Sequence, residues 1–309
     1  MTSVSLVTGA AGFIGSNLVE HLLDQGHSVV CVDNESANNE KFHWSHENGM
    51  VINVKVDITD YKGMKNIMSG VDYVFHLAAE SRLQSAIMNP IEAVKKNCVG
   101  TTVMLQCARE AGVKRFVYSS TSSGYGNNPY PNVETQPDDC LNPYSASKIA
   151  GEKFCKMYTE LYGLETVVLR YFNVFGRRSP AKGQYAPVIG IFQRQRDTGE
   201  PLTIVGDGAQ RRDFVHVEDV ARANYLAATM PLKGHAGEVF NVGTGSAYSI
   251  QQIADSISDN QVYIDKRSGE METTFADITK IGDVLAVSYT HLRAHETGRN
   301  LVCRLLLEK

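Results

Sequence analysis

Tyr144 and Lys148 stand four residues apart in Tyr-Ser-Ala-Ser-Lys, which on a helix puts them one turn apart on a single face. A phenol beside an ammonium is a proton-transfer pair. A free Tyr has a pKa of about 10, so acting as a base near pH 7 needs a downward shift of roughly 3 units, about 4 kcal/mol, and a neighbouring positive charge has the right sign. The spacing Y-x-x-x-K alone is common by chance. Its weight comes from Ser119-Ser120-Thr121-Ser122-Ser123 upstream, which ends the apolar run 115–120 with hydroxyls where open parallel sheets bind their ligands. A second constellation, Gly9-Ala10-Ala11-Gly12-Phe13-Ile14-Gly15, has the spacing G-x-x-G-x-x-G. Glycines let the backbone turn sharply and approach a pyrophosphate, while the following helix N-terminus supplies N–H groups and partial positive charge. Asp33, eighteen residues after Gly15, completes the pattern. Its carboxylate accepts from both ribose hydroxyls of NAD and would repel the 2′-phosphate of NADP, so the expected cofactor is NAD.

These residues need elements to hold them. Short β-branched runs at 4–8, 28–33, 51–56, 71–78, 115–120 and 165–171 alternate with helical patterns at 12–25, 90–111 and 143–162. Asn142 and Pro143 suit the N-cap and first position of the last of these helices, which places Tyr144 and Lys148 in its first two turns. Runs apolar on both faces and separated by helices predict a parallel sheet covered on both sides. After Tyr171 the rhythm loosens, with Gly, Pro and Arg gathered in 175–187 and turns in 199–212. The expected fold is therefore α/β, a Rossmann-like doubly wound parallel sheet with a smaller, discontinuous C-terminal substrate-binding lobe. Residues 1–172, joined by about 213–245, form the NAD-binding domain, and 173–212 with 246–285 form the lobe; 213–230 is read as a further strand and helix of the larger sheet. The Asn-rich stretch 34–48 reads as a polar loop. From about Ala286 to Lys309 the text changes character and resembles a translated sequencing-adapter tail, so 286–309 is set aside as non-native.

Composition bounds the function. A chain of 309 residues with 43% hydrophobic content can bury a sizeable core, which excludes a disordered protein or a small disulfide scaffold. Thirty Lys and Arg against 34 Asp and Glu give −4, without a basic block, and the chain without its tail stands at −6. Neither a nucleic-acid footprint nor a polybasic membrane anchor is expected. The six cysteines show no C-x-x-C pair and no metal-ligand spacing, so they read as reduced thiols of a cytoplasmic protein without a metal. No stretch reaches the roughly 18 apolar residues of a membrane span, and the chain opens directly into a strand, so export and membrane insertion are not expected.

Over residues 1 to about 285 the chain resembles the extended short-chain dehydrogenase/reductase superfamily, and within it the NAD-dependent nucleotide-sugar epimerase/dehydratase family, closest to the UDP-glucose/UDP-N-acetylglucosamine 4-epimerases. The likeness rests on Thr8-Gly9-Ala10-Ala11-Gly12-Phe13-Ile14-Gly15, Asp33, Asp57-Ile58, His76-Leu77-Ala78-Ala79, Asn97 before Gly100-Thr101, the Ser/Thr cluster, Tyr144 with Lys148, Arg170-Tyr171-Phe172-Asn173, and Arg212-Asp213-Phe214-Val215-His216-Val217. The resemblance implies that Tyr144 takes the proton from the sugar 4-hydroxyl while hydride passes from C4 to NAD, and that the 4-keto sugar turns over and takes the hydride back on its other face. Thr121 would bond the same oxygen, Lys148 would also hold the nicotinamide ribose, and the tightly held cofactor would be regenerated each turnover. It further implies that Asp33, Asn34, Asp57 and Ile58 line the adenosine half of the cofactor, and Leu77, Ala78, Ala79, Asn97, Ser119 and Tyr171 the nicotinamide half.

For the substrate, Arg212, Arg267 and Asn173 match family positions that hold a UDP-sugar diphosphate, and Ala186 and Val188 match the backbone that pairs with uracil. A 4,6-dehydratase would carry an Asp-Glu pair after the triad Thr; here Ser122 and Ser123 stand there, able to bind a sugar but not to do that proton chemistry. Thr274 matches the position that gates the sugar pocket, and a small residue there admits 2-acetamido sugars, so UDP-GlcNAc/UDP-GalNAc, with UDP-glucose/UDP-galactose beside them, are the expected substrates. The rivals are a UDP-glucuronate 4-epimerase or decarboxylase, a nucleotide-sugar reductase, and a non-catalytic dinucleotide-binding protein of the same fold. His216 reads as a structural histidine, and Arg177, Arg178 and Arg211 as solvated. Family members usually pair two helices per subunit, here 90–111 and 143–162, so a homodimer is expected, and such sugars commonly feed surface polysaccharides.

Overall fold

The computed structural model describes residues 2–36, 43–44, 49–180, 187–265 and 272–288. β1 (Val4–Thr8) leads through a glycine turn into α1 (Phe13–Asp24) and β2 (Ser28–Asp33), and β3 (Val51–Lys55), α2 (Tyr61–Ile67) and β4 (Tyr73–His76) follow. α3 (Leu83–Met88), α4 (Pro90–Val94), a π-helical segment Lys95–Gly100 and α5 (Thr101–Ala111) lead to β5 (Arg115–Thr121), α6 (Pro143–Tyr162) and β6 (Thr166–Tyr171). The chain then leaves through β7 (Asn173–Phe175), α7 (Val188–Thr198), β8 (Leu202–Val205), β9 (Arg211–Arg212) and β10 (Phe214–His216), and α8 (Val217–Thr229) brings it back to β11 (Val239–Val242). β12 (Tyr248–Ser249), α9 (Ile250–Ile257), β13 (Gln261–Ile264), β14 (Thr273–Thr274) and α10 (Thr279–Leu285) complete the described elements.

The central sheet has seven strands in the order β11-β6-β5-β4-β1-β2-β3, every neighbouring pair parallel. The order reverses between β1 and β4, the switch point at which doubly wound sheets open a crevice at their strand C-termini. Alternate residues explain why both faces are covered. Val7, Phe75, Val117 and Leu169 point into a core completed by Leu18, Val19 and Leu22 of α1 and Val220, Ala223 and Ala227 of α8. Leu6, Val74, Phe116 and Val168 point the other way, onto Met64 of α2, Met104 and Leu105 of α5 and Cys155 of α6. Each such side chain contributes about 1.5–3 kcal/mol by leaving water, an upper estimate because the unfolded chain is not fully extended. A third core, with Phe175, Phe192, Leu202, Ile204, Phe214 and Ile253, holds the smaller sheets together.

Three expectations are corrected. The strand within 213–230 is not part of the large sheet: β6 takes β11 on its outer edge, so β7, bending away after Phe172, pairs in parallel with β10, and only α8 packs on the large sheet. The helix at 90–111 is interrupted by its π-helical segment. The run 71–78 is a strand only over β4, because Leu77 to Ala79 leave the sheet beyond its edge. Residues 289–309, most of the suspected tail, lie outside the described residues. Cys31, Cys98, Cys107, Cys140 and Cys155 are free thiols. Among the described residues no helix is long and apolar enough to cross a membrane.

Candidate active site

The glycine turn sits at the end of β1, on the switch point. Gly9 adopts a left-handed φ of +69°, and a Cβ there would lie 3.0 Å from the Ala78 nitrogen; a Cβ on Gly15 would lie 2.1 Å from the Gly9 oxygen. Only glycine permits this closure. Gly12 caps α1 without any side-chain bond and the first turn carries no acidic residue, so the N–H groups of Phe13, Ile14 and Gly15 lack helical partners and face outward as an anion seat. Asp33 ends the next strand and accepts from Ala11 N at 3.1 Å and Glu35 N at 2.7 Å, so it braces the turn and keeps acceptor capacity for ribose hydroxyls. Asn34 donates to Asp57 at 2.7 Å. Burial pushes the Asp57 carboxyl up, but hydrogen bonds from Thr59 and Asn34 outweigh it and hold the group below the usual carboxylate range. The cradle, its uncapped helix and the adjoining acid fit a dinucleotide pyrophosphate and ribose. Ile58, in contrast, is buried and fills the space over Gly100, so it is part of the core.

The proton-transfer pair assembles on α6. Asn142 accepts from Ser145 N at 2.9 Å and caps the helix as its sequence suggests, with Pro143 at its start. Tyr144 is half-buried, and Thr121 brings its hydroxyl to the end of β5. Thr121 is aimed by Ser123 N, which donates to its Oγ1 at 3.1 Å. Lys148 is buried to 4% exposure, its ammonium 4.3 Å from the centre of the Tyr118 ring. Burial lowers its pKa to about 8, against the opposing pull of Cys155, Glu152 and Cys98. The lowering of Tyr144 by Lys148 expected from sequence is absent from the chain's own groups. Burial raises the phenol above its ordinary value, the Thr121 hydroxyl acts against this, and the Glu80 carboxylate adds to it.

Around this pair the polar residues expected on the nicotinamide side, Ser119, Tyr171 and Asn97, are hydrogen-bonded. Ser119 and Tyr171 share a bond of 2.8 Å, and Tyr171 continues to Asn224 at 2.9 Å; burial pushes the Tyr171 phenol up to about 12. Asn97 has the polar partners its helix position demanded: it accepts from Glu80 N at 2.8 Å and donates to Glu80 O at 3.0 Å and to Ser147 Oγ at 2.9 Å. Its amide therefore ties the loop carrying Leu77, Ala78 and Ala79, all half-buried, to α6, and the π-helical segment is what turns it there. Sequence reasoning missed Glu80, Ser120 and Glu152. Glu152 accepts from Ser120 and from Arg170 Nε at 2.8 Å, and Arg170 reaches Asp138 at 2.7 Å. An acid four residues after Lys148 was the available signal.

Thr274, Arg212 and Asn173, expected at the substrate, lie beyond β6. Thr274 stands in register with Arg212 between β14 and β9, and Thr274 is buried to 2% while Arg212 is half-exposed and donates to Arg211 O at 2.9 Å and Glu272 O at 3.0 Å. Asn173 donates from Nδ2 to Asp213 O at 3.0 Å. The Asp213 carboxylate, fully buried, accepts from Thr244 N, Thr244 Oγ1, Gly245 N and Ala276 N at 2.7–3.1 Å, a fastening that sequence reasoning also missed. Ser122 and Ser123 lie in the 3₁₀ turn after Thr121, and Val188 opens α7. Ala186 and Arg267 lie outside the described residues. His216 is buried at 3% and caps α8, in keeping with a structural role.

The model of the NAD dependent epimerase/dehydratase family matches residues 5–243. The chain is 35% identical over 284 residues to a putative UDP-glucose 4-epimerase of Methanocaldococcus jannaschii, covering 89% of this chain and 90% of that protein. It is 36% identical over 260 residues to a UDP-N-acetyl-alpha-D-glucosaminuronate decarboxylase of Bacillus cytotoxicus, covering 82% and 78%. In structure it is similar to the UDP-N-acetylglucosamine 4-epimerase of Methanobrevibacter ruminantium M1, solved with UDP-N-acetylmuramic acid, at a TM-score of 0.89 and 32% identity over 99% of each chain.

Proposed function

The chain belongs to the NAD dependent epimerase/dehydratase family, and from that membership we propose that it is an NAD-dependent UDP-sugar 4-epimerase. The observation that carries the reading is Tyr144, one helical turn from the buried Lys148 on α6, with Thr121 at the end of β5 and the glycine cradle at the end of β1 on the same side of the sheet. Gly9, Gly12, Phe13, Ile14 and Gly15 would hold the pyrophosphate, Asp33, Asn34 and Asp57 the adenosine side, and Leu77, Ala78, Ala79, Ser119 and Tyr171 the nicotinamide side. When bound, NAD supplies a reversible hydride acceptor and the positive charge of its oxidised ring.

The residues do the rest. Tyr144 receives the proton of the sugar 4-hydroxyl and returns it to the same oxygen after the 4-keto sugar has turned over. Thr121 donates to the same sugar oxygen, and Lys148 contributes the cationic field that a phenolate needs. Because burial alone keeps Tyr144 protonated, charge from the oxidised ring and Lys148 must together bring it into range. Ser122 and Ser123 stand by the sugar with hydroxyls only, which argues against elimination across C5 and C6.

Residues 173–212 and 246–285 form the substrate lobe in this reading, with Arg212, Arg267 and Asn173 on the diphosphate and Ala186 and Val188 by the uracil. Thr274, small and in register with Arg212, favours UDP-GlcNAc/UDP-GalNAc, with UDP-glucose/UDP-galactose also admitted. The second reading, action on a UDP-uronate, is favoured by the likeness to the decarboxylase. A homodimer that pairs 90–111 and 143–162 is supported by the exposed apolar residues on these segments, Ile91 at 79%, Val94 at 48%, Val99 at 50% and Leu161 at 66%. Tyr144→Phe tests the core of the proposal. It keeps the ring and removes the acid–base, so turnover falls by about 10²–10⁴ while bound NAD, released by heat and quantified, stays at the wild-type level; unchanged turnover removes Tyr144 from the mechanism.

A further inference from the structure

Glu152 stands one turn beyond Lys148 and two beyond Tyr144, on the same face of α6. Its side chain is buried, and both carboxylate oxygens are engaged. Oε1 accepts from Ser120 Oγ and from Arg170 Nε at 2.8 Å, and Oε2 accepts from Arg170 Nη2 at 2.7 Å. Ser120 and Arg170 are register partners on β5 and β6, so one carboxylate of the helix bridges the two strands beneath it. Each of these partners is next in the chain to a residue of the proposed site: Ser120 precedes Thr121, and Arg170 precedes Tyr171.

The same guanidinium also reaches the connection that leads into the helix. Arg170 Nη2 donates to Asp138 Oδ1 at 2.7 Å, and Lys153, the neighbour of Glu152, meets Asp138 Oδ2 at 2.6 Å. Asp138 lies in the stretch 126–142, which carries the chain from the turn after Thr121 to Asn142 and so to Tyr144. Tyr125 lies against the guanidinium with its ring centre 4.5 Å away, and its hydroxyl donates to Asn241 Oδ1 at 2.6 Å. Arg170 and Lys153 thus face Glu152 and Asp138, and the charges balance. A buried pair of this kind adds little net stability over well-packed apolar side chains, because desolvation offsets the attraction, whereas its paired hydrogen bonds are exacting in direction.

We propose that Glu152, bridged to Ser120 and Arg170, is a positioning residue that fixes α6 over the ends of β5 and β6, so that Tyr144, Lys148 and Thr121 keep one relative geometry. The bridge stands on its hydrogen bonds; its effect on turnover rests on the epimerase reading.

The test uses the full chain with its bound NAD, as wild type, Ser120→Ala, Arg170→Lys and the double variant Glu152→Met with Arg170→Met. Each is assayed on the UDP-sugar that wild type converts, well below its own unfolding temperature. Ser120→Ala cuts the tie to β5, and Arg170→Lys cuts the paired bonds to Glu152. In both, kcat falls about ten- to a hundredfold, with KM within about twofold and bound NAD at the wild-type level. The double variant removes both charges together, so it unfolds close to the wild-type temperature while its kcat stays low. The ¹H–¹⁵N amide signals of Tyr144 and Lys148 move in all three. Wild-type kcat in Ser120→Ala, or recovery of kcat together with stability in the double variant, overturns the proposal; should the double variant not fold, Ser120→Ala decides. A wild type that turns over no UDP-sugar overturns the epimerase reading instead. The amide signals then decide the positioning, and signals unmoved in Ser120→Ala and Arg170→Lys overturn it.

Discussion

Burial acts on Tyr144 and Lys148 in opposite senses: it raises the phenol above its ordinary value and lowers the ammonium to about 8. Lys148 is cationic below that value and neutral above it, so a rate that needs its charge falls as pH rises through about 8. With the oxidised ring of bound NAD bringing Tyr144 below that value, loss of the Tyr144 proton sets the acid side. The expected kcat/KM profile is therefore a bell with its alkaline limb near pH 8, and Lys148→Met removes that limb and lowers the rate about 10²–10⁴-fold; a wild-type rate still climbing at about pH 9 contradicts this assignment. The pair itself was legible in sequence, because an i,i+4 spacing behind a capped helix start leaves one geometry. The direction of the Tyr144 shift was not, since it depends on Glu80 and on burial, both set by chain distant in sequence. His76 and Tyr118 were equally hidden: alternation marks them as inward-facing, but their partners Thr8, Thr101 and Lys148 come from three other elements.

At the scale of elements, the unit β1–turn–α1–β2 was readable because three glycines, an uncapped helix start and a terminal Asp each answer a separate physical demand. The fit is tight enough to predict a variant. In Gly15→Ala the added carbon meets the Gly9 oxygen at 2.1 Å, so the turn must open; the purified protein carries less than about a tenth of the wild-type NAD and unfolds at a lower temperature, whereas full cofactor content would show that the turn is not the pyrophosphate seat. What sequence did not reveal are the elements whose length or pairing carries no local signal. β9, β12 and β14 have two residues each, too few for any periodicity, and exist because Asp213 gathers Thr244, Gly245 and Ala276 around them. The π-helical segment is likewise invisible in composition, yet it aims Asn97 at Ser147.

At the scale of the whole molecule, the doubly wound sheet presents the glycine turn, Thr121 and Tyr171 along its strand C-termini, and the smaller sheets stand over that edge, joined to it through Tyr125, Phe172 and Ala276. This architecture followed from the alternation of apolar runs and helices; the departure of β7 and β10 from the main sheet did not, because it depends on β11 claiming the edge of β6. The exposed Ile91, Val94, Val99 and Leu161 along 90–111 and 143–162 predict association. Wild type sediments as a dimer and Ile91→Asp as a monomer; a wild-type monomer at tens of micromolar contradicts the proposed pairing. The central claim is tested most directly by incubating the purified protein with UDP-GlcNAc, or in parallel UDP-glucose, without added cofactor, and following the anomeric region by ¹H NMR. The account predicts growth of the C4 epimer from one or both sugars to a constant ratio, with no free nicotinamide consumed. Neither epimer appearing, in protein shown to carry NAD, would contradict it.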